Sequence, residues 1–261
     1  MRCALDIGEK EEGTKAERIA ALRKVVERLQ SIPTGIAPEH VIAAVGASLA
    51  PGLPGPGIIG GMLNEAVAAR VDQPAVFGFL FTLMAAALQA RAGPAVLVAA
   101  RRTLDFGAPY GHGLSQLGIE VGRVILVETD TDKDALWALE EALRSEARPA
   151  MVAGAIEAGL DLTQSRRLNL AAATHVTPLV LARGAKTAGT SAAATRWRIA
   201  PTPAACDRFD MFAYWRWQVT LERCRNGRTG AWLVEWDHGA HRFRSLALKN
   251  PQPWAGTAQH A

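Results

Sequence analysis

The sequence predicts an α/β protein, a mainly parallel sheet flanked by helices, with a helix before it and antiparallel strands after it. Two observations in residues 94–143 carry the parallel part. The apolar run 95–100, bounded by Gly93 and Pro94, is too short for a globular helix and reads as a buried strand. A second apolar run, 124–127, ends in the polar cluster 128–134, after which Ala135, Leu136, Leu139 and Leu143 recur at helical spacing. Strand, crossover, strand and crossover in that order build a parallel sheet. The third observation is a change of period. In 214–223, Trp215, Trp217, Val219 and Leu221 alternate with Arg216, Gln218, Thr220 and Glu222, the pattern of a half-buried antiparallel strand.

Residues 15–30 place Ile19, Leu22, Val26 and Leu29 on one face of a helix that ends before Pro33. It reads as a lid on the core or as an arm for an oligomer or partner. Residues 50–61 hold too many prolines and glycines for regular structure and form a loop feeding a strand over 62–67. A segment from Ala68 to Gly78 then leads into an apolar helix over 79–90. After the strands 95–100 and 124–127, Thr131 or Asp132 caps the next helix. Asp130, Asp132 and Asp134 thereby sit at its positive end rather than around a metal. A strand over 150–156, a helix over 159–170 capped by Asp161 or Thr163, and a fifth strand over 177–182 complete the alternation. Residues 191–200 return as a strand in which Thr195, Trp197 and Ile199 alternate with Arg196 and Arg198. A proline-rich link, 201–203, precedes 214–223, and Asn226-Gly227 turns that strand into a return strand over 231–236. Residues 242–248 add another strand, and the end frays beyond Lys249. The expected organisation is a helical segment 1–48, a core 49–200, an antiparallel extension 201–250 and a flexible tail 251–261.

At 261 residues the chain can bury a substantial core, and 49% hydrophobic with 21% charged residues is ordinary for a soluble globular protein. The most apolar window, 74–90, is interrupted by Gly78 and Thr82 and falls short of the roughly 20 residues that span a bilayer. The first residues lack the apolar core of a secretion signal. Cys3, Cys206 and Cys224 are too few and too far apart for a disulfide framework or a zinc knuckle. These features predict a cytoplasmic protein with no membrane contact and no metal. Net charge is +4, but from Arg196 onward ten basic residues face five acidic ones, a surplus of +5 in that region alone. Such a surplus points to an acidic partner, nucleic acid or protein, or else to a solvated strand surface. The candidate surface is Arg196, Arg198, Arg216, Arg223, Arg225, Arg228 and Arg242. Tryptophans alternating with arginines suit single-strand binding by stacking and phosphate contact, and they equally suit a sheet with its tryptophans facing the core. The core role is the one expected, with the arginine face left as the binding surface.

The stretch from strand 95–100 and Thr103-Leu104-Asp105, through a tyrosine and Leu117-Gly118-Ile119-Glu120, to a strand, an Asp-Thr turn and the helix ALWALEEAL resembles the core of bacterial RecA-type ATPases. In that fold a glycine-rich loop precedes the first core strand, ending in a Glu, and Glu65 fits that place. The resemblance implies a phosphate-binding loop between Ala68 and Gly78. A working loop needs glycines whose N–H groups turn onto phosphate, a Lys, and a Ser or Thr for magnesium. The segment has no glycine before Gly78 and no Lys; Arg70 and Asp72 are its charges, and Pro74 removes a donor. The catalytic Glu expected in the turn after the next strand is Arg101, which cannot serve as a general base. The magnesium-supporting Asp expected at the end of 150–156 is replaced by Gly154 and Ala155, with Glu157 displaced. The expectation is a chain without catalytic residues and without a nucleotide cofactor. The two DNA loops of recombinases would fall at 157–160 and 183–190, both short, which argues against a recombinase-like filament.

A narrower resemblance rests on DALWALEEALRS (134–145), GLDLTQSRRL (159–168), SAAATRWRIAP (191–201) and GAWLVEWD (230–237), which are similar to the bacterial damage-inducible ImuA family. That family resembles RecA without being a recombinase. The resemblance implies a non-enzymatic adaptor in SOS-induced, error-prone translesion synthesis. Its implied partners are an inactive translesion polymerase homologue, ImuB, and an error-prone C-family polymerase, with DNA bound directly or through them. A location in the bacterial cytoplasm, at the nucleoid when DNA is bound, follows. The alternative is a DNA-dependent ATPase with a non-standard nucleotide site using residues such as Arg70 or Arg101. A hydrolase reading has only two near misses to a nucleophile elbow, at Gly46 with Ser48 and at Gly113 with Ser115, and His112 has no acid partner in view.

Overall fold

A computed structural model describes residues 41–43, 58–69, 73–104, 107–157, 159–185, 191–224 and 229–246. The helix expected over 15–30, most of the loop 50–61 and the tail beyond Lys249 lie outside the described residues. Strands β1 (Val41–Ala43) and β2 (Ile58–Ile59) form a small antiparallel pair. The main sheet has ten strands. Its parallel members are β3 (Leu63–Ala68), β4 (Ala95–Ala100), β5 (Val124–Thr129), β6 (Met151–Ala155), β7 (Leu179–Arg183) and β8 (Thr195–Pro201). They lie in the order β5-β4-β6-β7-β3-β8, consistent with a RecA-like core. The antiparallel members are β9 (Ala205–Cys206), β10 (Phe212–Cys224), β11 (Gly230–Asp237) and β12 (Arg242–Leu246). Strand β10 pairs with β8, β11 with β10 and β12 with β11, so one sheet runs from β5 to β12 without a break.

Every residue of β3, β4, β6 and β7 is buried. That is the signature of parallel strands covered on both faces, and it explains their continuous apolar runs. On one face, α3 (Asp132–Arg144) and α4 (Leu162–Thr174) press Ala135, Leu139, Leu143, Leu168, Ala171 and Ala172 onto Leu63, Val96, Val98, Val152, Leu179 and Leu181. Close approach there depends on Gly154, because a Cβ would stand 2.6 Å from Leu181 Cδ2 and 2.9 Å from Leu139 Cδ1. Thr131 caps α3, its hydroxyl accepting from the Asp134 N–H, and Asp161 caps α4 in a capping box with Gln164. Of the two caps weighed for each helix, Thr131 and Asp161 are the ones used.

The opposite face is covered by α1 (Gln73–Ala90). Register places Ala66, Ala68, Trp197, Ile199, Val219 and Trp217 together on that face. There the Trp217 indole N–H donates to the Ala75 carbonyl (3.1 Å), and Phe79 packs against both Trp217 and Phe243 at centroid distances of 5.8 and 5.3 Å. Trp236 and Trp197 are buried as well, whereas Trp215, at the outer end of the same row, is 37% exposed, so the alternation reports core over most but not all of its length. Two details were not foreseen. Helix α1 starts at Gln73 rather than at position 79, because Pro74 near its start needs no intrahelical partner for its missing N–H. Gly78 is therefore a helical residue beside the Trp217 ring, not a loop glycine. A short helix, α2 (Gly111–Gln116), ends in Gly118 at φ +87°, where the His241 ring of the β11–β12 turn lies so close that no side chain would fit.

Candidate functional site

In open α/β sheets, ligands bind at the carboxyl ends of the parallel strands. Among the described residues, several of the protein's own side chains pair with one another at those ends. After β3 the backbone is tied sideways into β8: the Ala69 N–H donates to the Ile199 carbonyl at 2.9 Å, and Arg198 donates to the Ala68 carbonyl at 3.1 Å. Only Ala69 and residues 70–72 separate β3 from α1, and Arg70 and Asp72 lie outside the described residues. Ala68 closes β3 itself, and Pro74 and Gly78 belong to α1. The crevice between α1 and the ends of β4, β6 and β7 is lined by Val76, Phe77, Thr103 and Arg183, and it retains about 10 Å³. That is room for about one water molecule.

After β4 the chain makes a 3-10 turn, Arg101–Leu104. Arg101 points outward, with its side chain 73% exposed and 3.9 Å from Asp130. Arg102 turns inward to an ion pair with buried Asp132 and reaches Glu157 at 3.1 Å. The acid displaced from the end of β6 thus closes a bridge between two strand ends. Asp132 also accepts from the Glu157 N–H at 3.4 Å. Among the described residues no group of three His, Cys, Asp or Glu side chains is arranged to hold a metal ion.

Deeper in, Glu65 on β3 is buried and accepts from the Arg196 Nε of β8 at 2.8 Å. Arg183, at the end of β7, is buried too. Burial pushes its guanidinium below the ordinary arginine value; Glu65 opposes this, Arg196 adds to it, and Asp132 opposes it. The guanidiniums of Arg183 and, largely buried, Arg196 thus share the interior with the carboxylates of Glu65 and Asp132, while half-exposed Arg102 reaches Asp132 from the surface. Buried charges persist only when paired in this way. Arg183 and the Glu65–Arg196 pair were not anticipated as an ionic cluster. The one legible signal was an arginine ending an otherwise apolar strand (residues 179–183, LVLAR). Which carboxylate would meet Arg196 depends on β3 pairing with β8, which no local pattern reveals.

The arginines expected to form a basic surface are largely engaged within the sheet. Arg198 pairs with Glu222, and Arg216 pairs with Glu235 across the β10–β11 ladder at 2.5 Å. Arg223 donates to the carbonyls of Ser191 and Ala193 at 2.8 and 2.9 Å, clamping the approach to β8. Arg196 is held by Glu65. Arg242, at the start of edge strand β12, is exposed, and Arg225 and Arg228 lie outside the described residues. Reversing charge at Arg216 or Arg223 would therefore break contacts within the sheet. Neither near-miss nucleophile makes a site: Ser115 lies in α2 with its hydroxyl on the Gly111 carbonyl, His112 stacks near Tyr110, and Ser48 lies outside the described residues. No helix among the described residues is long and apolar enough to cross a membrane.

No family model matches the chain. Two curated proteins do resemble it, each named Protein ImuA, from Caulobacter vibrioides strain NA1000 / CB15N and from strain ATCC 19089 / CIP 103742 / CB 15. Each is 37% identical to this chain, over 74% of this chain and 84% of its own length.

Proposed function

The chain belongs to the ImuA family, and from that premise we propose that it is a non-enzymatic, RecA-like adaptor in SOS-induced, error-prone translesion DNA synthesis. It works through protein contacts with an ImuB-like inactive polymerase homologue and an error-prone C-family polymerase, in the cytoplasm and at the nucleoid when DNA is engaged. The observation that supports this reading is that the acids described at the carboxyl edge are engaged by an arginine. The small cavity lined by Val76, Phe77 and Thr103 beside the start of α1 has room for about one water. Arg102 occupies both nearby carboxylates, Asp132 and Glu157, which would otherwise be the candidates to hold magnesium or orient water. The sequence between β3 and α1 supplies neither lysine nor glycine for phosphate.

The test is a calorimetric titration of the full chain with ATP and magnesium, paired with affinity capture from DNA-damaged cells. The expected result is no heat of nucleotide binding together with co-purification of the two polymerase components. Saturable ATP binding that depends on Arg101 would overturn the reading and favour an ATPase with an unorthodox site.

A further inference from the structure

Strand β5 closes one edge of the ten-stranded sheet. Its inner side is fully laddered to β4, from Ala95 opposite Val124 to Ala100 opposite Thr129, with no bulge. Among the described residues no strand lies on its outer side. Ile125 is 48% exposed and Leu126 38%, and these neighbours project from opposite faces of the pleat. Val121, in the turn just before, adds another exposed apolar side chain. Natural edge strands are normally blunted by lysine, proline, a bulge or an inward charge. Residues 124–127, Val-Ile-Leu-Val, carry none of these. A row of N–H and C=O groups that no described strand pairs, flanked by apolar side chains, is completed by one kind of ligand, another extended strand.

The side-chain order says which strand. Antiparallel pairing about a two-fold axis normal to the sheet keeps each side chain on its own face only when the axis passes through a residue. Centred on Leu126, the pairing sets Leu126 against its own copy, Ile125 against Val127, and Val124 against Glu128. Apolar meets apolar at the centre on both faces, and no charge meets its like. Arg123, which would come opposite Thr129, is turned into its own fold, donating to the carbonyls of Leu88, Arg91 and Gly93. We propose that β5 is a docking edge for a second copy of this chain, joined through an antiparallel β5–β5 ladder centred on Leu126, so that one sheet runs through both copies.

The experiment uses the full chain. Mass is measured by light scattering over a wide concentration range, and amide hydrogen exchange is followed over residues 124–129. The expected result is twice the chain mass at high concentration, with exchange in β5 slowing as the dimer fills. Leu126→Lys, which sets two like charges face to face at the axis, shifts the mass to that of one chain while thermal unfolding stays cooperative. If that variant fails to fold, Ile125→Lys serves instead, because its side chain is the more exposed. A single-chain mass throughout with fast exchange in β5 overturns the proposal. So does slow exchange that ignores concentration, which would mean that another segment or a different protein covers the edge. A dimer unchanged in the folded lysine variant places the contact elsewhere and also overturns it.

Discussion

On one side of β3 the sheet's strands, β4, β6 and β7, are apolar on both faces and covered on both, by α1 above and by α3 and α4 below. On the other side, from β8 to β12, only the α1 face is apolar. The reverse face carries Arg196, Arg198, Arg216 and Arg244, each matched to a carboxylate from a neighbouring strand: Glu65, Glu222, Glu235 and Asp237. One half is held by close apolar packing, the other by an aromatic layer with an ionic lattice behind it. Among the described residues, these four of the arginines behind the basic surplus are matched by acids across the ladder. A strand open to solvent on one face can neutralise its arginines across the ladder, leaving little free charge for a partner.

The largest expected effect lies in the apolar half. Gly154→Asp would put an acid into the middle of this packing. Its Cβ would collide with Leu181 and Leu139, and its charge would be buried under α3. A loss of more than about 4 kcal/mol is expected, enough to unfold the chain at ordinary temperature. Circular dichroism and urea titration measure this, and a well-folded variant would mean that α3 does not press on β6 as closely as described.

At the seam between the halves, Glu65→Gln removes the negative charge that faces largely buried Arg196 and the field that favours the Arg183 charge. The expected cost is about 3–5 kcal/mol. Replacing the pair together, Glu65→Leu with Arg196→Met, should recover most of that loss, the shortfall reflecting Arg183. Denaturant midpoints for the single and paired variants decide it; equal losses in both would assign the cost to packing instead of charge.

The smallest effect is in the ionic half and depends on pH. The Ala240 N–H holds the Asp237 carboxyl below its ordinary value; burial opposes this, and the Gly239 N–H, Arg244 and Arg242 reinforce it. Because the folded value is the lower one, the stabilisation is present above the unfolded pKa of about 3.9 and is lost as pH falls through the depressed folded value. Asp237→Asn should therefore be less stable than the parent at neutral pH, with the gap closing in acid. A gap that stays constant with pH would show that the carboxylate's charge contributes nothing.

The apolar half was the more legible in sequence for a physical reason. Strands covered on both faces must be apolar throughout, so runs such as 95–100 and 150–156 name themselves, and the caps Thr131 and Asp161 mark where helices begin. The start of α1 was less visible, because Pro74 and Gly78 look like loop residues until the helix is seen to tolerate one at its entry and to use the other beside Trp217. In the ionic half the alternation was plain, and Trp217 and Trp236 were correctly placed in the core. The fate of Arg196, Arg216 and Arg223 was not legible, since their partners lie 131, 19 and 30–32 residues away in sequence. Charge complementarity between strands exists only once register is set.

Strand β8 belongs to two ladders at once, parallel with β3 and antiparallel with β10. The C-terminal strands are consequently no detachable module: a protease nick or a premature stop in the link that follows Pro201 would not release a tidy core but would uncover the flank of the protein's central plate. Fusion tags and split-protein designs are better placed outside that link.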